Sequence, residues 1–154
     1  MADLFELTLS VGLRDGLSDQ ERAELCWHLG TGPEPGTLRI VTEFPLVVVD
    51  DDGVPVVENH PEPLLAGHGE AFRVGGVLHS ALVREGGGWT LTSRQEIHPD
   101  GFAGLGDLLV WLAARAADRH RRPDGSVELG GIRAYEDTRA RPLLVRDGSV
   151  TWPS

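Results

Sequence analysis

A strict alternation of apolar and polar positions near the N-terminus predicts the first strand. From Leu4 to Arg14 every second residue is apolar, and those between are polar or glycine. This period of two is typical of a strand with one buried face. A helix is predicted from Asp19 to Leu29, because Ser18 and Glu21 have the spacing of a capping box and Gly30 suits a helix end.

The middle of the chain predicts three further strands and a hairpin. Apolar, β-branched runs at Leu38–Phe44, Leu46–Val49 and Val54–Glu58 indicate strands. The sequence Asp51-Asp52-Gly53 supplies turn residues between the last two runs, so these pair as a hairpin. The segment Asn59–Gly69 is rich in proline and glycine and predicts an irregular loop, where a functional site can lie.

The second half predicts a β-meander followed by a long helix. Strands are expected at Glu70–Val74, Val77–Arg84 and Trp89–His98, with a glycine-rich connection before the last of them. Apolar residues at three- and four-residue spacing predict a helix from about Asp100 to His120.

The tail predicts a short strand, an irregular segment and a closing hairpin. The short strand is expected at Val127–Leu129, the irregular segment at Gly130–Arg141, and the hairpin from Leu143–Arg146 and Ser149–Trp152. The order of elements predicts one α+β domain over residues 1–154, with a mostly antiparallel sheet packed against two helices on one face. A ferredoxin-like split arrangement and a curved sheet around the long helix are the two candidate topologies.

Charge and residue usage exclude several functions. The 154 residues carry 24 acidic and 14 basic side chains, a formal net charge of −10 at pH 7, and every basic residue is arginine. Without lysine, Schiff-base catalysis and a Walker-type phosphate loop are excluded. The negative charge opposes binding to nucleic acid or to an anionic membrane, and it favours a basic protein partner.

Cys26 is the one cysteine of the chain, so an intrachain disulfide and a cysteine-rich zinc site are excluded. We expect a reducing, cytoplasmic environment, because neither a signal peptide nor a membrane-spanning apolar run is present. Cys26 falls on the apolar face of the first helix and is predicted to belong to the core.

Two short segments place acidic and histidine side chains at alternate positions. These are Glu58, His60 and Glu62 in one segment, and Glu96, His98 and Asp100 in the other. Residues two apart on an extended backbone project to the same side, so each set suits a ligand, a metal or acid–base chemistry. The competing interpretation is that these are ordinary exposed residues at strand ends, with Asp100 as a helix N-cap.

His79 alternates with apolar residues of the predicted meander, which places it on the buried side or beside a ligand pocket. Other motifs fail: the aspartates at 50–52 lack the EF-hand spacing, and the glycine-rich segments lack the context of a nucleotide site. No catalytic residue is identified, and no cofactor is predicted.

Two functions remain. The first is an acidic cytoplasmic interaction domain that binds a basic protein, as an immunity or inhibitor protein does, or that forms a homodimer. The alternative is a small enzyme or binding protein with a small-molecule or metal pocket, which uses His60 and His98 with their neighbouring carboxylates.

Overall fold

The computed structural model describes residues 3–153, which form one seven-stranded sheet, a separate two-stranded hairpin and two α-helices. The strands are β1 (Phe5–Leu13), β2 (Pro45–Val49), β3 (Pro55–Asn59), β4 (Gly69–Glu70), β5 (Val77–Glu85), β6 (Gly88–Ile97), β7 (Val127–Ala134), β8 (Arg141–Arg146) and β9 (Ser149–Val150). The helices are α1 (Asp19–His28) and α2 (Phe102–Arg115), and short 3₁₀ turns lie at Pro99–Gly101 and Asp118–His120.

The large sheet has the strand order β4-β5-β6-β1-β7-β8-β9, and every neighbouring pair is antiparallel. This confirms the α+β class with a mostly antiparallel sheet and two helices. Strands β1 and β5 run in the same direction with β6 between them, as in a split β–α–β unit. The order of the four central strands is compatible with the ferredoxin-like topology, which stays a prediction.

The core lies between the sheet and the helices, and β1 runs through its centre. The alternating residues Leu7, Leu9 and Val11 are at most 1% exposed. Fully buried leucines of α1 and α2 belong to the same cluster. Strand β7 pairs with β1 only as far as Leu9. Beyond that point the segment after α2 lies beside β1, and the Ala117 N–H donates to the Gly12 carbonyl at 2.7 Å. None of the helices within residues 3–153 has the length and apolarity needed to cross a membrane.

Helix α1 begins as predicted, and it buries Leu25 and Leu29 as predicted together with polar residues that were not expected. Both hydrogen bonds of the Ser18–Glu21 capping box are present. The buried side chains of α1 include the polar Glu24 and His28 as well as Leu25. Cys26 is half-buried, so its assignment to the core was wrong.

Two of the predicted strands are wrong for the same physical reason. Leu38–Phe44 is not a strand, because the backbone N–H groups of 39–41 donate to the Glu24 carboxylate. Of Glu70–Val74 only Glu70 is in a strand, as the second residue of β4, since the N–H groups of 72–74 donate to the Glu96 carboxylate. A carboxylate that takes backbone donors removes them from any strand ladder.

The end of the long helix and the tail also differ from prediction. Helix α2 ends at Arg115, not His120, because Ala116 turns to extended backbone and bridges to Leu13 of β1. Much of the segment predicted to be irregular is strand, with β7 continuing to Ala134 and β8 starting at Arg141. The two adjacent glycines of β7 interrupt its alternation of apolar and polar residues. The pairing of β7 with β8 shifts register after Glu128.

The β7 irregularity depends on Gly130, and replacing it with alanine is expected to destabilise the protein. Gly130 has φ +153°, and a Cβ there would overlap the Thr8 carbonyl oxygen of β1. Gly130→Ala should lower the free energy of unfolding by about 2 kcal/mol. In thermal unfolding, Gly36→Ala is the matched control, because nothing lies within 4 Å of its added Cβ. Equal melting temperatures for the two variants would contradict this role.

Candidate interaction surface

The β2–β3 hairpin closes through its aspartate turn. The Asp50 Oδ1 accepts the N–H groups of Asp52 and Val54 at 2.9 and 2.8 Å, and Gly53 provides the positive φ of +77°. The predicted pairing of the two strands is confirmed, with Val47 opposite Val57 and Val48 opposite Val56. The aspartates at 50–52 therefore build an exposed tip.

One face of this hairpin is apolar and exposed to solvent. Side chains directly opposite each other in an antiparallel pair lie on the same face, and residues two apart along a strand share it. Val47, Val49 and Val57 of this face are 66%, 68% and 69% exposed. We define the apolar hairpin face by five exposed residues: Pro45, Val47, Val49, Pro55 and Val57.

Both edges of the hairpin carry a proline that weakens them as templates for a further strand. The Asp50 N–H bonds to the Val54 carbonyl, so in the pairs Pro45–Asn59, Val47–Val57 and Val49–Pro55 the backbone N–H and C=O groups point away from the partner strand. Pro45 and Pro55 therefore each remove a donor from a free edge. The hairpin offers its face for contact more readily than its edges.

The base of the hairpin is fixed to the body of the protein at Phe44. The Phe44 side chain is 7% exposed, and its ring packs on Trp27 of α1 at a centroid distance of 6.2 Å. The Asn59 Oδ1 accepts the Phe44 N–H at 2.7 Å, and the Phe44 carbonyl accepts the His60 N–H at 2.8 Å. The two strands therefore leave the body from one buried anchor.

Glu24 of α1 holds the segment that leads into the hairpin. Its side chain is 1% exposed, and its two carboxylate oxygens accept the N–H groups of Arg39, Ile40 and Val41 at 2.6 to 3.1 Å. Such charge-assisted bonds from oriented backbone donors offset the cost of removing a carboxylate from water.

His28, one turn further along α1, holds the segment that leaves the hairpin. Its ring is fully buried, its Nδ1 accepts the Leu64 N–H at 3.3 Å, and its carbonyl accepts the Leu65 N–H at 2.8 Å. The neutral ring therefore carries its proton on Nε2, which lies 3.7 Å from the Glu24 Oε2 and makes no hydrogen bond. Burial lowers the pKa of His28 to about 4, although the Glu24 carboxylate opposes this shift.

The sheet holds the same outgoing segment from the other side. Gln95 of β6 exchanges two hydrogen bonds with the backbone of Gly67, at 2.8 and 3.0 Å. The Ser80 hydroxyl of β5 donates to the Leu65 carbonyl at 2.7 Å. Polar side chains of both α1 and the sheet thus fix where the hairpin emerges.

The hairpin lies within the most acidic part of the chain. Between Arg39 and Arg73 there is no arginine or lysine, and the histidines there are His60 and His68. The acidic residues of this stretch are Glu43, Asp50, Asp51, Asp52, Glu58, Glu62 and Glu70. The apolar hairpin face is therefore bordered by carboxylates at its tip and at its base.

The first predicted histidine–acid segment lies at the base of the hairpin. The His60 Nε2 is 2.6 Å from the Glu58 Oε2, which forms an exposed ion pair when His60 is protonated. His60 and Glu62 line a cavity of ≈ 210 Å³ beside the start of α2, and Asp100 of the second segment lines it too. The structure thus brings one residue of the second segment to the first.

Of the rest of the second segment, His98 contacts Asp100 without lining the cavity, and Glu96 is engaged elsewhere. The His98 Nδ1 accepts the Asp100 N–H at 3.1 Å and lies 3.4 Å from the Asp100 Oδ2. Desolvation opposes ionisation of Glu96, but the N–H donors of 72–74 and the Arg73 charge outweigh it and lower the Glu96 pKa. Within residues 3–153, no three histidine, cysteine, aspartate or glutamate side chains are placed to hold a metal ion.

His79 lies on the exposed side of β5, so its predicted placement beside buried residues was wrong. Its neighbours Leu78 and Ser80 point inward instead, and Val77 and Val83 on the His79 side are 60% and 49% exposed. Period two shows which residues share a face, and not which face is buried.

Comparison of the chain with protein-family models, with curated proteins and with solved structures gave no match.

Sequence reasoning missed the exposed valines and Glu43. The apolar run Leu46–Val49 is of the kind that indicates a strand buried on both faces, so exposure was not expected. Two signals were present: a proline at the head of each hairpin strand, and the absence of arginine and lysine between Arg39 and Arg73.

Removal of the Glu24 charge is expected to destabilise the fold. In Glu24→Gln the amide NH₂ group would face backbone N–H groups that now have a carboxylate acceptor. The free energy of unfolding should fall by about 2 kcal/mol in urea denaturation. Glu34→Gln, at an exposed glutamate, should leave the urea midpoint unchanged. A Glu24→Gln midpoint equal to that of Glu34→Gln would show that these bonds contribute nothing.

His28 is expected to make stability fall in mild acid. Its folded-state pKa of about 4 lies below the ordinary 6.5, so between these values the unfolded chain binds more protons. Its contribution is complete above pH 6.5 and is lost as the pH falls toward 4, by up to about 3 kcal/mol. Urea midpoints between pH 4 and pH 8 should show a shallower slope for His28→Gln, whereas exposed His79→Gln keeps the parent slope. Parallel profiles for all three proteins would disprove this linkage.

Proposed function

We propose that this chain is an acidic protein-interaction domain that binds a basic protein partner through the apolar hairpin face and the carboxylates around it. An immunity or inhibitor protein that neutralises a basic partner belongs to this class. The exposure of Val47, Val49 and Val57 on a projecting hairpin is the observation that carries the proposal.

The apolar hairpin face is suited to a protein contact because it is contiguous and held in place. Exposed apolar patches rimmed by polar residues are typical of interaction sites. Each of these valines is more than half exposed, and transferring such a side chain out of water stabilises a complex by about 1–2 kcal/mol. Since Phe44 and the α1 contacts already fix the hairpin base, little conformational entropy is lost there on binding.

The carboxylates favour a partner of opposite charge. The stretch between Arg39 and Arg73 has seven acidic residues and no arginine or lysine, and it contains both strands of the hairpin. Complementary charge accelerates encounter and rejects partners of the wrong sign. A partner surface that joins basic residues to an apolar patch matches both properties of the hairpin.

Self-association is less well supported than binding to a basic protein. Two copies would bring together molecules that each carry a formal charge of −10. Pairing through the hairpins would also place acidic tips and bases near one another, which costs energy. The homodimer remains a prediction, and the test below distinguishes it.

The small-molecule alternative rests on the cavity that His60, Glu62 and Asp100 line. Its volume of ≈ 210 Å³ is below the roughly 300–1,000 Å³ usual for small-molecule pockets. A small molecule in this cavity would leave the apolar hairpin face exposed, whereas a protein partner would cover it.

Serine substitution on the hairpin is expected to abolish partner binding. The wild type, Val47→Ser/Val57→Ser and the matched control Val77→Ser/Val83→Ser serve as baits in a lysate of the native cells. A basic protein should be retained by the wild type and the control and lost from the hairpin variant. With the purified partner, isothermal titration calorimetry should show at least tenfold weaker binding for the hairpin variant, and weaker wild-type binding at higher salt.

Four results would overturn the proposal. The first two are capture of an acidic partner and equal loss of the partner with both double variants. Native mass spectrometry that shows a homodimer dissociated by Val47→Ser/Val57→Ser would assign the face to self-association. A small molecule retained by the protein purified without chelator would favour the alternative function. Circular dichroism of the variants checks that each is folded.

A further inference from the structure

The cavity at the hairpin base combines an apolar wall with a carboxylate rim. We define the base pocket by Phe44, Leu46 and Leu64, which form its apolar wall, and by Glu43, Glu62 and Asp100, which supply its carboxylates. It lies where β2 leaves the body of the protein, against the 3₁₀ turn and the first turn of α2.

Two of these carboxylates have no cationic partner in the part of the chain that the structure describes. Glu43 and Glu62 form neither an ion pair nor a side-chain hydrogen bond within residues 3–153. Glu58 nearby is different, because its Oε2 is 2.6 Å from the His60 Nε2. His60 also lines the base pocket, but its ring pairs with Glu58, so the charges of Glu43 and Glu62 are left unpaired among the described residues.

The size of the base pocket matches a single long side chain. A volume of ≈ 210 Å³ corresponds to about seven water molecules at roughly 30 Å³ each. Arginine and lysine combine an aliphatic stem with a charged end, and they pack the stem on apolar surface while the charge stays at a polar rim. The apolar wall and the carboxylates present the complementary arrangement.

The base pocket is continuous with the apolar hairpin face. Glu43 and Pro45 line the base pocket and also a shallow groove of ≈ 430 Å³ that contains Val57. A ligand that covers the valines therefore reaches the base pocket across these two residues. One partner surface can fill both sites.

We propose that the base pocket binds an arginine or lysine side chain of the basic partner, while apolar residues of that partner cover the hairpin valines. This assignment rests on the proposed function and names the chemistry that selects the partner. The bound cation is held by Glu43, Glu62 and Asp100, and charge-assisted bonds of this kind are stronger than those between neutral groups.

The test uses small probes, so it does not require the partner. The ¹⁵N-labelled full chain is titrated with N-acetylarginine N-methylamide, with the lysine analogue, and with N-acetylcitrulline N-methylamide, an uncharged match for arginine. The two cationic probes should bind with millimolar dissociation constants and shift the amide signals of Leu46, Leu64 and Gly104. Citrulline should bind at least tenfold more weakly, because it cannot pair with the carboxylates.

Matched charge variants separate the base pocket from general attraction to an acidic protein. Glu43→Gln/Glu62→Gln should weaken arginine-probe binding at least fivefold. Glu34→Gln/Glu70→Gln removes the same charge from exposed glutamates outside the base pocket, and it should leave the affinity within twofold. Equal loss in the two variants, equal binding of citrulline, or equal shifts at the Asp50–Asp52 tip would overturn the assignment.

The outcome separates this inference from the proposed function. If the arginine probe fails while capture of a basic protein still depends on Val47 and Val57, only the pocket assignment is overturned. If the probe binds as expected while Val47→Ser/Val57→Ser captures as much basic protein as the wild type, the proposed function is overturned.

Discussion

The buried Glu24 carboxylate is the interaction on which the arrangement of the hairpin depends. A carboxylate at 1% exposure is costly unless donors surround it, and here three consecutive backbone N–H groups do so. Those donors belong to the segment that leads into the hairpin, so the hydrogen bonds that stabilise the buried charge also position that segment. His28 lies four residues later on the same helix and fixes the outgoing segment through Leu64 and Leu65. Helix α1 thus sets the place from which both strands emerge.

The same competition between carboxylates and strands shapes the edge of the large sheet. Glu96 withdraws the N–H groups of 72–74 from strand pairing, so β4 has only two residues and the chain loops outward at Phe72. Short edge strands limit unwanted pairing with other chains. The hairpin solves the same problem by other means, because Pro45 and Pro55 remove edge donors and three aspartates occupy its tip. An apolar face is in this way exposed without a long open edge beside it.

The sequence predicted elements whose signals are local. The alternation of β1, the Ser18–Glu21 capping box and the hairpin around Gly53 were found because each depends on residues close together in the chain. Glu24 gave no such signal, since a glutamate on a helix is ordinary and its donors lie 15 to 17 residues away. The contact between Glu58 and His60 followed from their spacing, whereas the approach of Asp100 to the same cavity depends on packing of distant segments. His79 shows the remaining limit, because alternation leaves the choice of the buried face open.

In the proposed function, the exposed valines and the carboxylates around them select the partner together. An apolar face alone would attract many surfaces, including a second copy of the chain, and would be prone to aggregation. Carboxylates on its border impose a cost on every acidic or neutral surface that would desolvate them without pairing them. Only a surface that brings cations to the border while covering the valines avoids that cost. Because α1 and the sheet hold the hairpin in position, its apolar and charged parts have one fixed geometry, and the proposed recognition requires both parts in that geometry.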